Sequence, residues 1–214
     1  MKLQLALDEF DLEDALSLAE RVRPSIDIIE IGTPFIIRAG VQAIQRFARA
    51  FPEKEILADT KIMDGGYFEA AMAFSSGASY VTVLGVTDDS TIKGCLKAAH
   101  EYSGKLVVDM LCVENLSDRA RACESMGVDV LAVHTGVDQQ AHGRTPLDDL
   151  AILKRASSQV QVAVAGGINS ASINSYLALQ PDIVIVGGSI AHADDPQAEA
   201  SSIRAAINGC ASRY

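Results

Sequence analysis

Short apolar segments alternate with longer amphipathic segments along the whole chain. Most of the short segments are nearly continuous runs of Val, Ile, Leu and Ala, which is typical of strands buried on both faces of a parallel sheet. Eight strands are predicted, at Leu3–Leu7, Ile26–Ile31, Glu55–Asp59, Tyr80–Leu84, Leu106–Leu111, Val128–His134, Val160–Ala165 and Ile183–Val186.

Each predicted strand is followed by a segment whose apolar residues recur at helical spacing. The helices are predicted at Leu12–Arg23, Arg38–Ala50, Tyr67–Ser75, Ser90–Tyr102, Leu116–Met126, Leu147–Ala156, Ser170–Leu179 and Pro196–Ile207. Capping residues mark several starts: Asn115, and the pairs Thr145-Pro146 and Asp195-Pro196, in which Pro would be the first helical residue. Glycines are expected to end several of these helices, Gly127 and Gly209 among them.

Alternating strands and helices form either a closed barrel or an open, doubly wound sheet. A dinucleotide-binding sheet would place a GxGxxG turn after the first strand, whereas this chain has Asp8-Glu9-Phe10-Asp11 there. No linker, low-complexity tract or shift of composition divides the 214 residues. The sequence therefore predicts an α/β protein, a single (β/α)8 TIM-barrel domain over residues 1–214.

The acidic composition limits the partners that the protein can bind. A formal net charge of −10 argues against nucleic acids and anionic membranes, because both are bound through basic surfaces. No apolar run reaches the length of a membrane span, and the N-terminus does not resemble a secretory signal, so a cytoplasmic protein is expected. The four cysteines lack the spacing of a zinc site or of a disulfide framework.

Ionisable residues interrupt the apolar strands near their carboxyl ends. In barrels these ends meet at one end of the cylinder, where catalytic residues lie. Burying such groups in apolar strands is costly unless they are paired or bound to a metal, so we interpret them as one catalytic cluster. Its members are Asp8, Glu30, Asp59, Lys61, Asp109 and His134, with Asp64 just beyond the third strand. The near-neutral pKa of a histidine suits His134 to proton transfer.

The residues around the third strand also suggest a cation site. Asp59 and Lys61 are two positions apart on a strand, so both side chains are expected to face the same side. With Asp8, Glu30 and Asp64 they would form an acidic cluster around one ammonium group. Such a cluster can bind a hard divalent cation, and Mg2+ is the usual choice beside phosphates. Taken singly, Asp8 and Asp64 also fit helix-capping roles.

Glycine pairs follow the last two predicted strands, Gly166-Gly167 and Gly187-Gly188. Many barrels bind phosphate at these two loops through backbone N–H groups. Glycine lets the backbone approach an anion closely. Together with the charged cluster, the pairs predict an enzyme that acts on a small sugar phosphate.

The third strand ends in a DxKxxD motif, Asp59-Thr-Lys61-Ile-Met-Asp64. With Asp8 and the Glu30-Ile-Gly-Thr33 segment, this motif resembles the orotidine 5′-monophosphate decarboxylase suprafamily, and within it the family of 3-hexulose-6-phosphate synthases. The resemblance spans nearly the whole chain and includes the segments MKLQLALD, DIIEIGTP, LADTKIMDGG, VTVLGVTDDSTI, VVDML, VAGGI and VGGSI.

The resemblance implies an aldehyde-lyase of the ribulose monophosphate pathway. It would condense formaldehyde with D-ribulose 5-phosphate through a 1,2-enediolate to give D-arabino-hex-3-ulose 6-phosphate, and catalyse the reverse. Glu30 and Asp59 would hold Mg2+. Lys61 would add positive charge near the oxyanion, and His134 would move the proton at the carbon that attacks formaldehyde.

The same resemblance assigns the remaining residues. Asp8 and Asp109 would position substrate hydroxyls and the lysine. Asp64 would reach into the site of a neighbouring subunit, which implies a homodimer. The phosphate would be bound by Gly166, Gly167, Gly187 and Gly188.

Other reactions remain open. A 3-keto-L-gulonate 6-phosphate decarboxylase would share the enediolate and the metal, but that family carries Arg where this chain has Gly188 and Val137, which favours the synthase. Metal-free decarboxylation of orotidine 5′-monophosphate fits Glu30 and His134 less well. A ribulose-phosphate epimerase or isomerase would need two opposed acid–base groups, which the sequence does not exclude. A non-catalytic binding barrel is disfavoured by the intact charged cluster.

Overall fold

The computed structural model of the protein describes residues 1–136 and 145–211. Val137, on which part of the comparison with decarboxylases depends, lies outside the described residues. Eight parallel strands close into a barrel in chain order, with β1 also paired to β8. They are β1 Lys2–Leu7, β2 Ile28–Ile31, β3 Glu55–Ile62, β4 Tyr80–Leu84, β5 Lys105–Asp109, β6 Val130–His134, β7 Gln161–Ala165 and β8 Ile183–Val186. The predicted (β/α)8 barrel is confirmed.

Helices connect successive strands on the outside of the barrel. They are α1 Leu12–Val22, α2 Thr33–Ala39, α3 Val41–Ala50, α4 Gly66–Ser75, α5 Asp89–Glu101, α6 Leu116–Met126, α7 Leu147–Ala156, α8 Ile173–Leu177, α9 Gly188–Ala191 and α10 Pro196–Ala211, with a 3-10 turn at Arg23–Ser25. Among the described helices, none combines the length and the apolar character that a membrane span requires.

Several predicted helix boundaries are wrong. The helix predicted from Arg38 to Ala50 is two helices, because Gly40 has a φ of +63° and breaks the hydrogen-bonding pattern between α2 and α3. The helix predicted over Ser170–Leu179 is limited to α8, Ile173–Leu177, because Asn169 and Ser172 form a local turn in front of it.

Helix-end signals were only partly informative. Asn115 and Asp195 do accept hydrogen bonds from the first turns of α6 and α10, as predicted. Pro146, in contrast, is the residue before α7 rather than its first residue, and its own side chain makes no capping hydrogen bond. Gly127 ends α6 with a φ of +84°, whereas Gly209 lies inside α10.

Apolar side chains fill two layers on either side of the barrel wall. The inner layer closes the lower half of the barrel and consists of Ile28, Leu57, Tyr80, Val107, Val130, Ala132, Ala163 and Ile183. The outer layer lies between the strands and the helices and includes the fully buried Leu5, Ile29 and Phe47. Because the strands are in parallel register, inward residues nearer the carboxyl ends lie above the inner layer and face a common space.

A repeated contact organises the opposite, amino-terminal end. The residue before each even-numbered strand accepts a hydrogen bond from the second residue of the strand before it. These bonds join Leu3 N to Asp27, Ile56 N to Ser79, Leu106 N to Asp129 and Val162 N to Asp182, at 2.8, 3.2, 2.8 and 2.8 Å. These four side-chain contacts connect β1 to β2, β3 to β4, β5 to β6 and β7 to β8 at the end away from the charged cluster.

Candidate active site

A cavity of about 1110 Å³ opens at the carboxyl-terminal end of the barrel. Of the residues that the sequence suggested for the site, all but Asp64 line it. The suggested residues that line the cavity are Asp8, Glu30, Asp59, Lys61, Asp109, His134, Gly166, Gly167, Gly187 and Gly188. The structure thus brings side chains from five strands into one space, which is the arrangement expected from the sequence.

Lys61 lies at the centre of the charged groups. Its ammonium forms an ion pair with Asp59 and is 3.7 Å from Oδ2 of Asp109. Burial alone would lower the pKa of Lys61, but the charges of Asp59 and Asp109 outweigh it and hold that pKa above its ordinary value. Lys61 is therefore a fixed positive charge in the cavity.

The backbone of β3 is distorted where it carries these groups. The register with β4 shifts between Ala58 and Ile62, and Lys61 has a φ of +47°, which is unusual for a residue with a side chain. Thr82 stabilises this conformation, since its hydroxyl accepts a hydrogen bond from Lys61 N at 2.9 Å and donates one to Asp59 Oδ1 at 2.8 Å. The strain places Asp59 and Lys61 in contact with each other inside the cavity.

Two threonines that the sequence reasoning missed hold Asp59. Thr33 donates to Asp59 Oδ2 at 2.9 Å and to the Asp59 carbonyl oxygen at 2.7 Å. Thr82 binds the other carboxylate oxygen. Both threonines also line the cavity. Thr33 belongs to the EIGT segment noted in the sequence, but a threonine in or after an apolar strand gives no signal of its own.

Asp109 and His134 form the second pair. Asp109 Oδ2 lies 2.8 Å from His134 Nδ1, and Asp109 Oδ1 accepts a hydrogen bond from Leu111 N at 2.9 Å. Burial would lower the pKa of His134, but the bond to Asp109 raises it above the ordinary value. The Asp109 carboxylate leaves Nε2 of the imidazole as the ring nitrogen available for a ligand.

Glu30 is the most perturbed carboxyl group of the cavity. Burial, followed by the negative charge of Asp59, raises its pKa to about 8. One of its oxygens, Oε2, accepts a hydrogen bond of 2.6 Å from Gln4 Nε2. A cation beside Glu30 would offset both the burial and the negative charge of Asp59.

A sequence profile described as the orotidine 5′-phosphate decarboxylase / HUMPS family matches residues 1–203 of the chain. The chain belongs to this family. A 3-hexulose-6-phosphate synthase of Staphylococcus epidermidis is 46% identical over 209 residues, which cover 98% of this chain and 100% of the relative. The family resemblance inferred from the motifs is thereby confirmed.

Solved structures of the orotidine 5′-phosphate decarboxylase / HUMPS family agree with this assignment. The crystal structure of a 3-hexulose-6-phosphate synthase from Salmonella typhimurium matches with a TM-score of 0.97 at 52% identity, over 98% of this chain and 100% of that one. A 3-keto-L-gulonate-6-phosphate decarboxylase from Vibrio cholerae matches with a TM-score of 0.86 at 27% identity, over 97% of each chain. The decarboxylase shares the fold but is the more distant in sequence.

The acidic groups of this family member suit a hard divalent cation. Within residues 1–136 and 145–211, no three His, Cys, Asp or Glu side chains are grouped closely enough to bind a metal by themselves. Mg2+ does not need three, because it keeps several waters and binds through one or two carboxylates plus oxygens of the substrate. Glu30 and Asp59 both line the cavity and offer carboxylate oxygens, the ligand type that Mg2+ prefers.

Asp8 lies beside the end of β2 because Gly32 has no side chain. A Cβ at Gly32 would lie 2.1 Å from Asp8 Oδ1 and 2.7 Å from the Leu7 carbonyl oxygen. Partial desolvation and the negative charge of Asp59 raise the pKa of Asp8. Gly32 is therefore required for Asp8 to approach the other acidic groups.

The glycine loops form the opposite wall of the cavity. Gly166 and Gly167 have φ values of +127° and +66°, so both occupy conformations that favour glycine. Gly187 and Gly188 lead into the short helix α9. Their roles in phosphate binding remain predictions.

Asp64 does not face the cavity of its own chain. Its side chain is exposed, and its carboxylate accepts a hydrogen bond of 2.7 Å from Gly65 N. The expectation that Asp64 acts in a neighbouring subunit remains a prediction.

Proposed function

We propose that the protein is a 3-hexulose-6-phosphate synthase, which joins formaldehyde to D-ribulose 5-phosphate and catalyses the reverse cleavage. One observation carries the proposal: Lys61, Asp59, Asp109 and His134 make contact with one another at the end of the barrel that also holds the glycine loops. The two synthases at 46% and 52% identity support this activity over that of the decarboxylase at 27%.

The Asp109–His134 pair and the Asp59–Lys61 pair have different roles in the reaction. His134, held by Asp109, removes a proton from C1 of ribulose 5-phosphate, and the electrons shift onto the carbonyl oxygen to give a 1,2-enediolate. Mg2+ bound by Glu30 and Asp59 would supply positive charge to the oxygens that become negative. Lys61, paired with Asp59 and near Asp109, adds a second positive charge in the cavity.

Carbon–carbon bond formation then uses the same groups. C1 of the enediolate attacks formaldehyde, and the carbonyl oxygen of the substrate re-forms. The formaldehyde oxygen takes the proton that His134 received, so atoms and charge balance. In the reverse direction, His134 removes that proton from the hydroxymethyl group and formaldehyde leaves.

A direct comparison of substrates tests the proposal. Purified protein with Mg2+ is incubated with ribulose 5-phosphate and formaldehyde, and separately with 3-keto-L-gulonate 6-phosphate. We expect the hexulose phosphate to form with the larger kcat/KM. Faster release of carbon dioxide from the keto-gulonate would instead identify a decarboxylase. Conversion of ribulose 5-phosphate to another pentose phosphate without formaldehyde would identify an epimerase or isomerase.

The pH dependence should report the Asp109–His134 pair. As a base, His134 must be neutral, so proton removal should increase as pH rises through its pKa. Because Asp109 raises that pKa, we expect the acidic limb of the wild-type profile to lie above the ordinary pKa of histidine. In Asp109→Asn, burial and the charge of Lys61 remain, and both lower the pKa of His134. The acidic limb should therefore move to lower pH.

Deuterium exchange at C1 of ribulose 5-phosphate, followed by NMR without formaldehyde, measures this step alone. His134→Gln is the control and should lose the exchange. An acidic limb at the same pH in wild type and Asp109→Asn would contradict the role of the pair.

We also propose a homodimer in which Asp64 completes the neighbouring site. The apolar surface beside Asp64 supports an interface: Phe68 and Met72, one turn apart on α4, are 77% and 55% exposed, and Met63 is 53% exposed. Thr87 donates a hydrogen bond to the Met63 carbonyl oxygen, and its neighbour in sequence, Val86, is also exposed. Such a patch on a protein surface is typical of an interaction site.

Phe68→Asp should therefore dissociate the protein and remove activity, because a charge replaces a large apolar side chain at the interface. Light scattering after gel filtration gives the mass, and the synthase assay gives the activity.

As a second test, inactive Lys61→Ala and Asp64→Ala variants are mixed under conditions that exchange subunits. Activity should return, since one site of each hybrid would be intact. A fully active monomer would exclude the shared site.

A further inference from the structure

Gln4 is a buried polar side chain that the mechanism above does not use. It lies on β1, points into the barrel and is 1% exposed. Its neighbours in register are Ile28 on β2 and Ile185 on β8, so the surrounding level of the barrel interior is apolar. Gln4 nevertheless lines the active-site cavity from below.

The amide of Gln4 makes one directed contact, the 2.6 Å hydrogen bond from Nε2 to Glu30 Oε2. The opposite orientation of the amide would place its carbonyl oxygen against the carboxylate, and two acceptors repel each other. Once Glu30 is ionised, as it would be when it binds a cation, this contact fixes the orientation of Gln4.

The other end of the amide is unsatisfied. Gln4 Oε1 is buried and has no hydrogen-bond partner. A buried acceptor without a partner destabilises the folded protein, and an apolar side chain of similar size would avoid that cost. Folding alone thus does not explain a glutamine at this position, which suggests that its N–H end has a function.

Only one oxygen of Glu30 is held in this way. Among the described residues, no hydrogen bond reaches Glu30 Oε1, so that oxygen remains available to a ligand from the cavity. Carboxylate ligands of metals are commonly oriented by hydrogen bonds from residues behind them, and loss of such a partner lowers metal affinity.

We propose that Gln4 is a positioning residue that holds Glu30 Oε2 and thereby presents Oε1 to the divalent cation. The inference rests on the proposed function, because it assumes that Glu30 binds Mg2+. It adds a residue from the first strand, below the cavity, that acts on the cation only through Glu30.

Metal binding without turnover tests this role. Metal-free protein is titrated with Mn2+, with and without ribulose 5-phosphate but without formaldehyde, and the free ion is followed by electron paramagnetic resonance. Mg2+ competition then gives its affinity. Gln4→Met keeps the length and removes the donor, and we expect it to weaken both affinities at least about tenfold. The melting temperature of its metal-free form should equal or exceed that of the wild type, because the unsatisfied acceptor is also removed.

Tyr80→Phe is the matched control. Tyr80 also lies inside the barrel, fully buried, and its hydroxyl donates to Glu55 at 3.1 Å in the layer at the amino-terminal end. This variant should lower the melting temperature and leave the Mn2+ affinity unchanged. If Gln4→Met does not fold, Gln4→Asn, whose amide is too short to reach Glu30, takes its place.

The outcomes separate the two proposals. Absence of Mn2+ and Mg2+ binding by the wild type, with or without ribulose 5-phosphate, would contradict the metal site itself. If the wild type binds the metal and Gln4→Met or Gln4→Asn binds it with an affinity within about twofold of the wild type, only the role of Gln4 would be overturned.

Discussion

Lys61→Ala is expected to lower kcat/KM at least about a hundredfold, which is the usual scale for loss of a charge that stabilises an oxyanion. Lys61 is held charged by Asp59 and Asp109, so it contributes electrostatic stabilisation whenever negative charge develops on the substrate. Removal of the Lys61 ammonium also leaves the buried carboxylates of Asp59 and Asp109 without the positive charge that they contact. Substrate binding would weaken less than turnover, since the charge of the enediolate exists only after proton removal.

Two further variants make this test specific. Lys61→Met retains the alkyl chain without the charge and should be as inactive as Lys61→Ala. Lys2→Met removes a lysine that forms an ion pair with Glu55 at the opposite end of the barrel, and it should keep full activity. Deuterium exchange and condensation are measured for all three, with circular dichroism to check folding. Near-normal kinetics in Lys61→Met would remove Lys61 from the mechanism.

The strands could be predicted because each is a short apolar run in a barrel buried on both sides. Their ionisable residues could be placed for the same reason: a charge near the carboxyl end of a buried strand points either to the common cavity or to the outer layer under the helices. Asp59 and Lys61 shared a face by simple alternation, and the structure agrees although β3 is distorted between them. The distortion itself, which Thr82 stabilises by bonding to both residues, could not be read from the sequence.

Neutral polar partners could not be predicted. Thr33, Thr82 and Gln4 hold Asp59 and Glu30, yet their residue types are common in strands and turns, and only three-dimensional contact shows what they bind. Helix ends failed for a similar reason. Gly40 stands in a continuous amphipathic pattern, which does not show that its φ is positive and that it separates α2 from α3.

One regularity was present in the sequence without being used. Asp27, Ser79, Asp129 and Asp182 each precede an even-numbered strand, and each binds the backbone of the strand before it. Side chains that accept hydrogen bonds at one fixed position of every second strand would have indicated the two-strand repeat. They would also have shown which polar residues belong to the amino-terminal end, away from the cavity.

Removal of divalent metal is expected to abolish turnover completely. Burial, followed by the negative charge of Asp59, raises the pKa of Glu30 to about 8, so without a cation the cavity offers acidic groups where a negatively charged substrate must bind. Dialysis against excess EDTA should eliminate both deuterium exchange and condensation, and added Mg2+ should restore them. Glu30→Gln keeps the shape of the side chain without its charge, and it should remain inactive at any Mg2+ concentration.

The same site predicts a stability effect that does not depend on activity. A ligand at about a hundred times its dissociation constant stabilises a protein by about 2.7 kcal/mol, which for a domain of this size corresponds to a rise of roughly 5–10 °C in melting temperature. The rise should become larger as pH increases toward 8, because the cation binds the ionised Glu30 and competes with its proton. Glu30→Gln should show neither the rise nor its pH dependence. If the full catalytic rate persists in excess EDTA and Mg2+ does not change the melting temperature, the acidic groups would bind the substrate directly rather than through a metal.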